Sequence, residues 1–355
     1  METKVVKIDE NCIDEKAQKA LKEAGEILLN GGLVAFPTET VYGLGGDARN
    51  AGSSKKIYAA KGRPSDNPLI VHIYKVDDLY KVSSKVTDEA IKLANKFWPG
   101  PLTMILPKSD LIPLETTGGM ETVAIRMPSN KIAAKMIEEG GGFIAAPSAN
   151  TSGRPSPTMA KYCIEDLDGK IEMIIDGGQV GIGLESTIVD LTENVPVILR
   201  PGYITYDMLK EVVPNITIDK TIIDPNSKQK PKAPGMKYRH YAPKGDLTIV
   251  EGSAAHVVEY INEMAKKLSD EGHKVGIIAT TDNFSKYHAD VVKNAGSRQN
   301  EEEVARQLFK ILREFDDENV EYMFSESFDE NGIGQAIMNR LLKAAGGHVV
   351  CADRN

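Results

Sequence analysis

The 355-residue chain has no G-x-x-x-x-G-K-[ST] phosphate loop, no G-x-G-x-x-G fingerprint and no G-x-S-x-G or Ser-His-Asp arrangement. The familiar phosphate cradles and the familiar activated serine are therefore excluded. Cysteine is scarce: Cys12, Cys163 and Cys351 are odd in number, far apart and in no C-x-x-C pair. That excludes a disulfide framework and a cysteine-based zinc site, and it fits a reducing compartment. No apolar run approaches the ~18 residues of a membrane span. The start, METKVVKIDEN, alternates apolar and charged residues without the apolar core of a signal peptide, so a cytoplasmic location with no membrane partner is expected. Positive charge is not in excess either. The 43 Lys and Arg against 51 Asp and Glu leave a net charge of −8, which argues against a broad basic face for nucleic acid.

What is present is a chain long enough for two domains, 41% hydrophobic and 26% charged. Up to about residue 213, short β-rich runs mix with helical periodicity. Strands are expected at Leu33–Phe36, Leu69–Ile73, Leu102–Leu106, Thr122–Arg126, Phe143–Ala146, Met173–Ile175, Thr187–Leu191 and Val197–Leu199. Helices are expected at Glu15–Asn30, Ser53–Ala60, Thr87–Phe97, Lys131–Glu138 and Tyr206–Val213. This mixture reads as an α/β or α+β sheet domain. Residues 214–245 read as a linker: Asn226–Lys244 holds five lysines, one arginine and three prolines and no acidic residue. From 246 to 355, strand and helix alternate more cleanly, which predicts a smaller parallel α/β domain.

Four segments of the first domain carry more Gly, Pro, Ser and Thr than a fold requires: PTETVYGLG (37–45), KGRPSDNPLIVHI (61–73), APSANTSGRPSPT (146–158) and LESTIVDLTENVPVILRPG (184–202). Each alone also has a plain reading. Gly43-Leu44-Gly45 reads as a turn needing positive φ, Arg126 and Arg200 as solvated arginines, and His72 as a satisfied core histidine. Together they read as a site for an anion. Arg126 and Arg200 end apolar runs, where a planar fork is well aimed at carboxylate or phosphate. Lys61 and Arg63 add charge. Ser148, Asn150, Thr151, Ser152 and Ser156 follow a strand, in the kind of loop where α/β sheets bind ligands and backbone N–H groups form anion nests.

Lys61-Gly62-Arg63 with Ser148-Ala149-Asn150 resembles the KxR…SxN signature of the YrdC-type threonylcarbamoyl-AMP synthases. PTETVYGLG and STIVDL…LRPG resemble that family's other blocks, in the same order through residues 15–205, and PGMKYRHYAP before an α/β domain resembles its two-domain long form. The resemblance implies a twisted YrdC-like sheet domain, a linker and a Rossmann-like parallel C-terminal domain. It implies a nucleotidyltransferase joining L-threonine, bicarbonate and ATP into threonylcarbamoyl-AMP with release of pyrophosphate. Mg2+ would accompany ATP, and a separate complex would pass the threonylcarbamoyl group to tRNA. By the same resemblance Thr40, His72, Arg126, Ala146 and Ser186 surround threonine. Arg63, Asn67, Thr122, Ser148, Ser156, Arg200 and Tyr241 surround the nucleotide, while Lys61 and Asn150 face the reacting phosphate. The aromatic and cationic residues of 234–241 further suggest a lid over the site. Two rival readings remain at this stage: an RNA-binding module, favoured by the basic linker, and a carbamoyl phosphate-type phosphatase using the same anion site. Direct tRNA binding is left open.

Overall fold

The computed structural model describes residues 2–219 and 240–354, which form two compact units. The first holds the described residues up to 219 except 153–155; the second holds 153–155 and the residues from 240 on. Most of the expected linker and lid, including Lys237 and Arg239, lies outside the described residues.

The first unit is a mixed eleven-stranded sheet. Its strands run in the order Lys4–Lys7, Met173–Asp176, Val34–Phe36, Gly43–Asp47, Ile144–Ala146, Ile70–His72, Thr122–Arg126, Leu102–Pro107, Thr187–Asp190, Val197–Arg200 and Thr217–Ile218. The last strand pairs in parallel with Val197–Arg200, so the unit continues past residue 213, where the sequence reading ended it. Helices begin where the sequence supplies caps. Asp14, Asn50, Thr87, Asn130 and Thr205 each accept a backbone N–H of the first turn, the usual partner for a donor left orphaned at a helix start. One sheet face buries Val71, Met104, Ile125 and Val189 in the main core. The other face buries a second core, Val34, Phe36, Ile144 and Met173 under helices Glu15–Leu29 and Lys131–Glu139, towards one end of the sheet, and only a thin cluster, Ile70, Ile105, Ala124, Ile188 and Leu199, towards the other.

One reading is corrected here. Gly43-Leu44-Gly45 is not a turn but lies in the strand Gly43–Asp47, antiparallel to Val34–Phe36 and Ile144–Ala146. The glycines serve close approach, not positive φ. A Cβ at Gly43 would lie 3.0 Å from the Phe36 ring, and one at Gly45 would lie 2.9 Å from Ile144 and 3.0 Å from Phe36.

The second unit is a five-stranded sheet, all parallel, in the order Val291–Gly296, Val275–Thr280, Tyr322–Glu326, Asp246–Glu251, Val349–Cys351. Helices Ala254–Asp270, Glu301–Asp317 and Gly334–Ala344 join the strands. The expected α/β class with a second, parallel-sheet domain is what the chain adopts.

Candidate active site

Strand register gathers the strand-borne candidates onto one face, beside its thinly covered end. His72 pairs with Arg126, Arg126 with Thr103, and Thr103 with Ile188, so all four side chains share one side. Ala146 is opposite Ile70, two residues before His72, and so joins them. Arg200 pairs with Ile188 across a bulge between Ile198 and Arg200, which turns the arginine onto the same face. Thr122 also shares it, four residues before Arg126. At ~3.3 Å per residue that separates the two by about 13 Å along one strand.

Neither strand-end arginine is solvated, which corrects the plain reading of both. Arg126 is 4% exposed and Arg200 is 5% exposed. Arg126 Nη1 donates to Thr40 Oγ1 at 2.8 Å, and Nη2 lies 2.8 Å from Glu39 Oε1. Arg200 grips Ser186 twice, Nε to the carbonyl at 3.0 Å and Nη2 to Oγ at 3.1 Å, while Ser186 Oγ also meets Thr103 Oγ1 at 2.7 Å. His72 is buried with Nδ1 3.0 Å from the Ile70 carbonyl. Burial first, and then the Arg126 charge, push its pKa down to about 3, so the ring is neutral near pH 7. It is a satisfied core histidine that also adjoins the arginine; the two readings of this residue are compatible.

The signature lysine has a structural reason for its spacing from Ser148 and Asn150. Helix Ala51–Lys61 ends on Gly62 at φ 61°, the left-handed region glycine enters most readily. The Gly62 and Arg63 N–H groups bond back to Ala59 and Tyr58. That stop lets Lys61, 1% exposed, donate to the Ser148 carbonyl at 2.5 Å and to the Asn150 carbonyl. Past the glycine, Arg63 turns the other way, with Nε to Asn67 O and Nη2 to Pro68 O, both 3.1 Å. The loop is held from its other side too: Leu44 N bonds Pro147 O at 2.9 Å and Ala149 N bonds Tyr42 O at 2.8 Å. Ser148 Oγ meets Asn150 Oδ1 at 2.5 Å.

Ser156 donates to Glu185 Oε1 at 2.5 Å. Tyr241 belongs to the other unit. It is 4% exposed, with its ring 5.1 Å from that of Phe309 and the Arg340 guanidinium 5.8 Å away. Sequence reasoning missed Glu39, Thr103 and Glu185. Glu39 and Glu185 sit inside motif blocks already singled out, but a search for anion-binding groups passes over carboxylates. Among the described residues no group of three or more His, Cys, Asp or Glu could hold a metal ion. No helix among them is long and apolar enough to cross a membrane.

Comparison with known proteins agrees over most of the chain. A family model described as telomere recombination matches residues 26–202, and one described as threonylcarbamoyl-AMP synthase, C-terminal domain, matches residues 204–346. The threonylcarbamoyl-AMP synthase of Bacillus subtilis is 48% identical over 93% of this chain and 94% of its own. That of Pyrococcus abyssi is 48% identical over 93% and 95%. A solved structure of P. abyssi Sua5 complexed with L-threonine superposes with a TM-score of 0.92 at 46% identity, covering 98% of this chain and 99% of that one.

Proposed function

The chain belongs to the threonylcarbamoyl-AMP synthase family in its two-domain form and is an enzyme of the nucleotidyltransferase kind, and from that premise we propose how its first unit makes the adenylate. L-threonine, bound by the P. abyssi relative, lies on the sheet face with its carboxylate toward Arg126 and Thr40 and its side chain among His72, Ala146 and Ser186. ATP runs from there toward Thr122, a span of about 13 Å that suits a nucleotide. Arg63, Asn67, Ser148, Ser156 and Arg200 border it.

The reaction needs positioning and charge compensation rather than a nucleophilic side chain. Threonine and bicarbonate give a carbamate, whose oxygen attacks the α-phosphate of ATP and expels pyrophosphate. Both partners are anions. Lys61, Arg63 and Arg200 offset their repulsion, and fixed donors in a water-poor site need no reorganisation as charge develops. Holding the two reactants in line can contribute about 7–11 kcal/mol. Magnesium enters as part of the ATP complex, held chiefly by phosphate oxygens and water. The enzyme works in the cytoplasm, where ATP is supplied, and hands its mixed anhydride to a separate tRNA-modifying complex.

The observation that carries this reading is the anchored pair of forks, Arg126 on Thr40 and Arg200 on Ser186, on one face of one sheet. It is tested by incubating the protein with ATP, L-threonine and 13C-bicarbonate and weighing the product. Threonylcarbamoyl-AMP carrying the label is expected. Free carbamate with ADP and phosphate would favour the phosphatase reading.

A further inference from the structure

We infer that Glu39 receives the α-ammonium group of the amino-acid substrate and accepts the proton this nitrogen must lose; the inference rests on the threonylcarbamoyl-adenylate reading above. Glu39 sits at the apex of a tight turn. The Thr38 hydroxyl accepts the N–H of Thr40 at 3.2 Å and of Val41 at 3.3 Å, and donates to the Val41 carbonyl at 2.6 Å. Ile182 N holds the Glu39 carbonyl at 2.8 Å, so the backbone under the side chain is fixed.

The side chain itself is not satisfied. Glu39 Oε1 lies 2.8 Å from Arg126 Nη2, with side-chain exposures of 13% and 5%. At that distance a structural pair would normally be a well-aligned, often bidentate, fork. Here the ion pair is a single contact, and Glu39 Oε2 and Arg126 Nε are buried without a hydrogen-bond partner. A buried ion pair with unmet bonds is a poor source of stability, because desolvation is not repaid. A buried carboxylate and a buried guanidinium joined by one contact, each with bonding capacity left over, are, however, the complement of a zwitterion. An α-carboxylate fits Arg126 and an α-ammonium fits Glu39. The neighbouring charged groups do not compete for this role. Across the sheet His72 is neutral. On the 180–186 segment, Glu185 Oε1 already takes the Ser156 hydroxyl.

The chemistry requires such a group, because an ammonium nitrogen has no lone pair with which to attack. Once the substrate carboxylate takes over Arg126, Glu39 loses its counter-charge and faces the ammonium in a largely buried site. Moving one proton from the ammonium to the carboxylate replaces two buried charges by two neutral groups, which removes the cost of keeping charge out of water. The N–H bond breaks, an O–H bond forms on Glu39, and the electron pair stays on nitrogen to bond the bicarbonate carbon. The bicarbonate hydroxyl leaves with nitrogen's second proton as water, and Glu39 returns its proton to solvent.

The test measures binding of L-threonine and of 3-hydroxybutyrate, the same molecule without its amine, to the parent and to Glu39→Gln, together with the pH profile of threonine-dependent pyrophosphate release. The parent should prefer threonine by tenfold or more, and Glu39→Gln should lose most of that preference. Loss of a general base costs about 10²–10⁴ in turnover, and the variant should regain about tenfold per pH unit as free amine accumulates. A Glu39→Gln protein that keeps the preference and the parent pH profile overturns the inference. So does a parent that binds both molecules equally, a result that stands even if the variant fails to fold. A parent that makes product with threonine while the variant is unaltered removes only Glu39's role. One with no threonine-dependent release removes the functional reading, and this inference with it.

Discussion

Arg63 shows how an exposed-looking basic residue becomes an oriented tool. Two of its donors are tied to the Asn67 and Pro68 carbonyls, so the direction of the guanidinium plane is set before any ligand arrives. Arg63→Ala should lower kcat by about 10²–10³, the usual loss for one preorganised donor. Arg63→Lys should recover little of it, since a point charge cannot reproduce the fork. Steady-state kinetics beside an unchanged melting curve checks both. His72 makes a different prediction. Its pKa falls from an ordinary 6.5 to about 3 in the folded chain. Between those values the unfolded state binds the extra proton, so the stability contributed by neutral His72 is complete above 6.5 and is lost as pH falls below it. The slope is about 1.4 kcal/mol per pH unit for one proton. Melting curves from pH 7 down to 5 should show a shallower decline for His72→Gln than for the parent.

At the scale of elements, most of the chain was legible because its periodicity and caps were clear. The helix expected at Lys131–Glu138 forms at Lys131–Glu139 behind the Asn130 cap, and the strand expected at Thr122–Arg126 forms with those bounds. What misled was glycine. In Gly43-Leu44-Gly45-Gly46 local preference favours a turn, and only the neighbouring Phe36 and Ile144 side chains explain a strand there. Adding a methyl at Gly45 should therefore overpack the sheet. Gly45→Ala is expected to cost about 1–3 kcal/mol, read as a fall of several degrees in the melting temperature. Wild-type stability in this variant would show that the strand tolerates a side chain. The site was legible in part for the same reason. Cationic and hydroxyl residues announce themselves, whereas Glu39 gains meaning only from lying 2.8 Å from Arg126. Which face each residue takes depends on register, and that is set by strand order, which no local pattern reveals.

On the scale of the whole molecule, two sheets of different kinds share one chain. The mixed sheet carries the Lys61 and Arg63 helix end, the loop residues Ser148, Asn150 and Ser156, and the buried Arg126 and Arg200. The parallel sheet holds Tyr241 within its own unit. The central claim is that the first of these couples three substrates, and the most direct measurement is pyrophosphate release by the full chain with each substrate omitted in turn. Release should be sustained with ATP, L-threonine and bicarbonate together and fall to background when any one is left out. Equal release without threonine, or release of phosphate in place of pyrophosphate, would contradict the account.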